Sequence, residues 1–68
     1  MVALQFAVAK ALYNKGFTLR ALDRGAEAIA VYDDLIARFG KSDVVALQES
    51  VAKAQSAKRY ELEKLRQI

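Results

Sequence analysis

A chain of 68 residues, 54 % apolar and 28 % charged, has material for one core and not for two, because either half would fall below the roughly 40 residues a self-sufficient core needs. The absence of Cys and His excludes disulfides, thiol nucleophiles, soft-metal ligands and any side chain that ordinarily titrates near neutral pH, and with them most catalysis. The net charge of +3 divides into +1 over residues 1–40 and +2 over 41–68, with both signs mixed in each part, which gives little basis for a nucleic-acid face.

Thirteen alanines, three glycines and no proline point to helices rather than sheet. Only Asp23-Arg24-Gly25 and Gly40-Lys41-Ser42-Asp43 read as punctuation, and they divide the chain into three helices. The first is expected over about residues 2–22, with Leu4, Val8, Leu12, Leu19 and Leu22 marking one face at helical spacing. Eleven of the first 13 residues of the chain are apolar, broken only by Gln5 and Lys10, so this helix must be covered on more than one side. Lys10 also cuts the apolar run far short of the ~20 residues that span a bilayer, and no basic lead-in precedes it. Neither secretion nor insertion is indicated, and a cytoplasmic location is expected.

The second helix, about 26–39, carries Ala28, Ile29, Tyr32, Leu35, Ile36 and Phe39, the i, i+3, i+4, i+7 series of an amphipathic helix. Gly40 stands where a left-handed residue ends a helix, and Ser42 or Asp43 offers a side-chain oxygen to cap the next. The third helix then runs over about 44–67. Asp34 with Arg38 and Glu49 with Lys53 are acid-before-base pairs four apart, which support helices rather than sites. The eight carboxylates form no calcium-type loop, and no metal or cofactor is expected.

Sliding the chain by 43 residues aligns 2–25 with 45–68, and 11 of those 24 positions are identical. Val2-Ala3-Leu4-Gln5 recurs as Val45-Ala46-Leu47-Gln48 and Val8-Ala9-Lys10-Ala11 as Val51-Ala52-Lys53-Ala54, while Lys15, Leu19 and Leu22 match Lys58, Leu62 and Leu65. The chain therefore reads as a helical hairpin followed by the first helix of a second copy. In that copy Phe6 becomes Glu49, Ala7 Ser50, Leu12 Gln55, Tyr13 Ser56, Gly16 Arg59 and Ala21 Lys64. This drift toward polar residues is what a terminal capping helix needs on its outer face.

Ala11-Leu12-Tyr13-Asn14-Lys15-Gly16 through Glu27-Ala28-Ile29-Ala30-Val31-Tyr32 resembles a tetratricopeptide repeat over about residues 10–41. Leu12, Gly16, Leu19, Ala28, Tyr32 and Leu35 fall on that family's bulky and small positions, and Asn14 where the family often has Asn. Two departures stand out: a period of 43 against the family's about 34, and Gly40 where proline is common. The resemblance implies an antiparallel hairpin plus a third helix, a fragment of a right-handed α-solenoid forming one domain over 1–68. Gly16 and Ala28 would be small because the first two helices cross closely there, and Ala28→Leu would overpack that crossing.

The resemblance further implies a protein–protein interaction module with a concave groove for a partner's peptide. Carried over by position, the groove residues are Lys10, Tyr13, Phe17, Arg20 and Ala21 from the first helix and Lys53, Ser56, Tyr60, Glu63 and Lys64 from the third. Rings flanked by Lys and Arg suit a peptide with an apolar anchor and an acidic group. The carboxylate clamp of chaperone-binding members needs Lys and Asn where this chain has Tyr13 and Phe17, so chaperone-tail binding is not expected. Packing of Tyr13 and Phe17 against a neighbouring helix or a second chain is the plain alternative. Phe6, Tyr13 and Phe17 lie off the Leu4–Val8–Leu12 face, which leads to an expected homodimer centred on Phe6, side by side or exchanging a helix through residues 40–43. Residues assigned to partner or self binding are thus Phe6, Lys10, Tyr13, Phe17, Arg20, Lys53 and Tyr60. Two other readings carry less: a basic nucleic-acid-binding helix built on Lys53, Lys58, Arg59, Lys64 and Arg66, interrupted by Glu49, Glu61 and Glu63, and a minimal repeat, excised or designed, with no ligand. An enzyme would have to be built from Glu27, Asp33 and Asp34 alone, on a polar helix face open to water, and none is expected.

Overall fold

The computed structural model describes residues 2–67, and among them are three α-helices and no strand: α1 (Val2–Ala21), α2 (Gly25–Phe39) and α3 (Val45–Arg66). The all-helical class and every helix boundary agree with the sequence expectation to within one residue. No described helix is long and apolar enough to cross a membrane. The helices lie side by side in a body of 41 × 18 × 14 Å, with α2 packed against both neighbours and α1 meeting α3 over a lesser seam.

The turn between α1 and α2 is closed by Asp23, which takes a left-handed conformation (φ 61°). The Arg24 N–H donates to the Leu19 carbonyl (2.8 Å) and the Asp23 N–H to the Arg20 carbonyl (3.0 Å), the paired closure that normally falls to glycine. Asp tolerates it better than most residues because its short polar side chain solvates the backbone locally. Beyond the turn, Arg24 Nε donates to Glu27 Oε1 (2.9 Å). That bond raises the Arg24 guanidinium and holds the Glu27 carboxyl below its ordinary value.

The second turn departs from expectation in two ways. Gly40 is right-handed (φ −61°) and continues the helical path, its N–H donating to the Ile36 carbonyl at 2.7 Å. Neither Ser42 nor Asp43 caps α3: the N-cap is Val44, with no side-chain cap bond. Ser42 Oγ instead accepts the Val44 N–H (3.1 Å), and Gln48 Nε2 returns to the Ser42 carbonyl (3.2 Å). Serine's competition for nearby backbone groups is spent in the turn ahead of the helix rather than on its first turn.

Packing is organised by α2, whose Ala28, Tyr32, Leu35 and Phe39 are buried with Ile29 and Ile36 beside them. Every member of its expected stripe faces inward. On α1 the expectation is corrected. Leu4 and Leu22 are exposed, Val8, Leu12 and Leu19 are only partly covered, and the buried residues are Ala9 and Gly16. Small residues occupy the contact because the helices approach too closely for larger ones. A Cβ on Gly16 would lie 2.8 Å from Tyr32 Cζ, inside the ring edge. Gly16→Ala should therefore destabilise the chain by about 1–3 kcal/mol through overpacking, overriding the ~1 kcal/mol that Ala ordinarily gains over Gly in a helix. A raised melting temperature in that variant would place Gly16 away from the contact.

On α3, Leu47, Val51 and Ala54 are buried as expected, but Leu62 is exposed and its neighbours on the inner line are Ala57 and Glu61. Glu49, Gln55 and Ser56 face outward. Asp34 and Arg38 pair at 2.9 Å, whereas Glu49 and Lys53 form no ion pair among the described residues. Lys58 Nζ reaches Asp33 Oδ1 at 2.6 Å instead, tying α3 to α2.

Tyr32 lies in the core with its hydroxyl buried and, among the described residues, without a hydrogen-bond partner. Burial first, and then the adjacent Tyr13, push its phenol above the ordinary value. A phenol raised in the folded state contributes stability below its unfolded pKa of ~10 and loses it as pH rises through the folded value. Tyr32→Phe should hold or raise the melting temperature at neutral pH, since an unpaired hydroxyl is removed, and should flatten the loss above pH ~10. A lower melting temperature at pH 7 would show that the hydroxyl has a partner.

Candidate functional site

Phe6, Lys10, Tyr13, Phe17, Arg20 and Ala21 recur at three- and four-residue steps along α1, which keeps them on one flank. The same steps on α3 align Glu49, Lys53, Ser56, Tyr60 and Lys64. The two flanks face each other across the α1–α3 seam and enclose three adjoining hollows. The first is lined by Phe6, Lys10, Tyr13, Glu49 and Lys53, the second by Tyr13, Arg20, Lys53, Ser56 and Tyr60, and the third by Phe17, Arg20, Ala21, Tyr60 and Lys64. Tyr13 and Lys53 belong to the first two and Arg20 and Tyr60 to the last two, so the hollows form one groove. All seven residues assigned to binding from the sequence line it. Of the wider groove set, Glu63 does not; it accepts a hydrogen bond from Arg66 Nη1 at 3.2 Å.

The floor and the rim of the groove differ in chemistry. Tyr13 is half-buried and leans on Tyr32 with ring centroids 5.9 Å apart, so its packing role is against α2. Phe6, Phe17 and Tyr60 are each about half exposed and supply the apolar rim. Arg20 sits between the helices, its guanidinium 4.4 Å from the Tyr60 ring centroid and 5.8 Å from that of Phe17. Its Nε lies 3.3 Å from Glu61 Oε1, and Glu61 is 1 % exposed against 33 % for Arg20. Arg20 is thus engaged within the fold, as the partner of a buried carboxylate. The outward cations of the groove are Lys10 and Lys53, with Lys64 at 3.9 Å from Asp23.

Glu61 is the residue that sequence reasoning missed. It continues the Ala54–Ala57 line at steps of three and four, the one signal that marks it as inward. Gly25 at the start of α2 makes room for it, since a Cβ there would stand 2.9 Å from Glu61 Oε2. The carboxylates weighed for an enzyme, Glu27, Asp33 and Asp34, are separately paired with Arg24, Lys58 and Arg38.

Comparison of the chain with family models, with curated proteins and with solved structures finds no match.

Proposed function

We propose that the chain is a protein–protein interaction module whose α1–α3 groove takes an extended peptide with an apolar or aromatic anchor and a carboxylate. The observation that carries this reading is the continuity of the groove, in which half-exposed rings at Phe6, Phe17 and Tyr60 alternate with Lys10 and Lys53. Rings bury anchor area at small entropic cost, and ammonium groups at the rim pair carboxylates. The order of the helices, the glycine pressed against Tyr32 and the buried Ala28 support a tetratricopeptide-like hairpin with a third, capping helix, a piece of an α-solenoid. A nucleic-acid role has less support, because Lys58 and Arg66 are spent on Asp33 and Glu63. The separate pairing of Glu27, Asp33 and Asp34 supports a binder rather than an enzyme.

The test uses a labelled peptide alternating Phe or Leu with Asp and Glu, compared with its counterpart carrying Lys for each acid. The acidic peptide should bind, weaken with added salt, and lose most of its affinity to Lys53→Glu. Equal binding of the basic counterpart would sink the reading. Exposure of Val2, Leu4, Phe6 and Phe17 on one helix favours a second reading, a homodimer through α1. Its sign is a concentration-dependent mass that Phe6→Glu returns to that of the monomer.

A further inference from the structure

Charge is distributed unevenly along the α1–α3 groove. Lys10 shares the first hollow with Glu49, and Lys64 in the third stands 3.9 Å from Asp23. Arg20, which lines the second and third, has Glu61 Oε1 at 3.3 Å from its Nε, and Glu61 is 1 % exposed. Lys53 is left over. It lies where the first two hollows join, no carboxylate lines the second hollow, and Lys53 enters no ion pair among the described residues. Four cations against three carboxylates leave the groove one surplus positive charge, at Lys53 rather than at Arg20.

The depth of Glu61 gives its charge particular weight. Charges at the rim are screened by water and salt, whereas a carboxylate out of water acts on its neighbour through a poorer dielectric. The rings of Tyr60 and Phe17, 4.4 and 5.8 Å from the Arg20 guanidinium, also hold Arg20 in place over Glu61. The Phe17–Tyr60 end therefore offers apolar area and a cation whose charge is already met.

We infer that Glu61 is a specificity-determining residue of the groove, an inference that rests on the peptide-binding reading. By neutralising Arg20 from within, it limits the groove to one productive acid, met by Lys53, and reserves the Phe17–Tyr60 end for the ligand's aromatic or apolar anchor. Tyr60 lies seven residues beyond Lys53 on α3, about 10 Å along the helix, a span that extended chain covers in about three residues. The ligand is thus a segment with one Asp or Glu and a large apolar residue about three positions away. A second acid beside the anchor adds no affinity, because Glu61 opposes it across Arg20.

The probes are labelled, acetylated and amidated peptides with one Glu and a Phe three residues away, made in both orders, and the same peptides with a second Glu beside the Phe. The wild-type chain should bind one of the two orders and gain nothing from the second Glu. Glu61→Gln keeps the side chain's shape and frees the charge of Arg20, so the second Glu should then tighten binding about fivefold. The Arg20→Met, Glu61→Leu pair removes both charges together and should bind the one-acid peptide as the wild type does, again with no gain from the second Glu. Lys53→Glu should abolish the preference for Glu over Gln in the one-acid peptide. A second Glu that tightens binding to the wild type, or adds nothing to a folded Glu61→Gln, overturns the inference and leaves the groove reading standing. A fall in one-acid binding in the paired variant places the acid at Arg20 and overturns it whether or not Glu61→Gln folds. If none of the peptides binds the wild type, the groove reading fails and this inference with it.

Discussion

Arg20→Met should destabilise the chain by about 3 kcal/mol, and adding Glu61→Leu in the same molecule should return most of that loss. Glu61 is almost wholly buried and Arg20 is its cation, one-third exposed at the groove. Removing one member of a buried pair strands the other charge in a poor dielectric and costs about 3–5 kcal/mol. The partial exposure of Arg20 sets the lower end of that range. A single core of this size supplies about 3–5 kcal/mol in all, so the single variant should be close to unfolding at room temperature. Replacing both partners with apolar side chains of similar volume removes the desolvation cost as well as the attraction, and such swaps are neutral or stabilising. Urea titrations followed by circular dichroism measure all three proteins. If the double variant is no better than the single one, the loss comes from the Arg20 contacts with Tyr60 and Phe17 and not from a stranded carboxylate.

The same pair shows where the sequence stops being legible. A carboxylate on a helix as polar as α3 reads as solvated, and Leu62, one residue on, reads as the inward position. The choice is reversed by a cation on another helix, 41 residues away in the chain, and no local pattern announces that partner. In α1 the difficulty is the opposite one. A helix apolar nearly all round has no preferred direction, so bulk favours Leu4 and Leu22 as the inner face, whereas close approach to α2 requires the smallest residues, Ala9 and Gly16. By contrast α2 has apolar residues on one side and charges on the other, and its buried face follows the sequence residue for residue.

The turns and the groove divide in a similar way. Both breaks are visible as clusters of Asp, Gly and Ser, but the chemistry within them is exchanged: Asp23 takes the left-handed role that Gly40 promised. Which residues share the groove is legible because the repeat fixes how α1 and α3 correspond, and steps of three and four fix their flanks. Which of them are available to a ligand is not, since Arg20 is occupied by Glu61 and Tyr60 and Tyr13 leans on Tyr32. Availability depends on tertiary partners: Glu61 and Tyr60 come from α3, and Tyr32 from α2.

Cutting the chain after Gly40 should abolish folding, and adding residues 41–68 as a separate peptide should restore helix. Leu47, Val51, Ala54 and Ala57 of α3 complete the buried cluster around Leu35 and Phe39, and Lys58 holds Asp33 from the same side. Without α3 the Leu35–Phe39 edge of α2 faces water, and what remains is a hairpin near the ~40-residue limit for a self-sufficient core. At 15 residues α2 is at the length where isolated helices are marginal even with favourable composition. The exposed Leu35, Ile36 and Phe39 should also make the fragment aggregate. Far-UV circular dichroism of residues 1–40 should show a weak, non-cooperative melt, with ellipticity recovering as the 41–68 peptide is added. A soluble, cooperatively melting fragment would mean that α1 and α2 suffice, and that α3 rests on a hairpin it does not hold together.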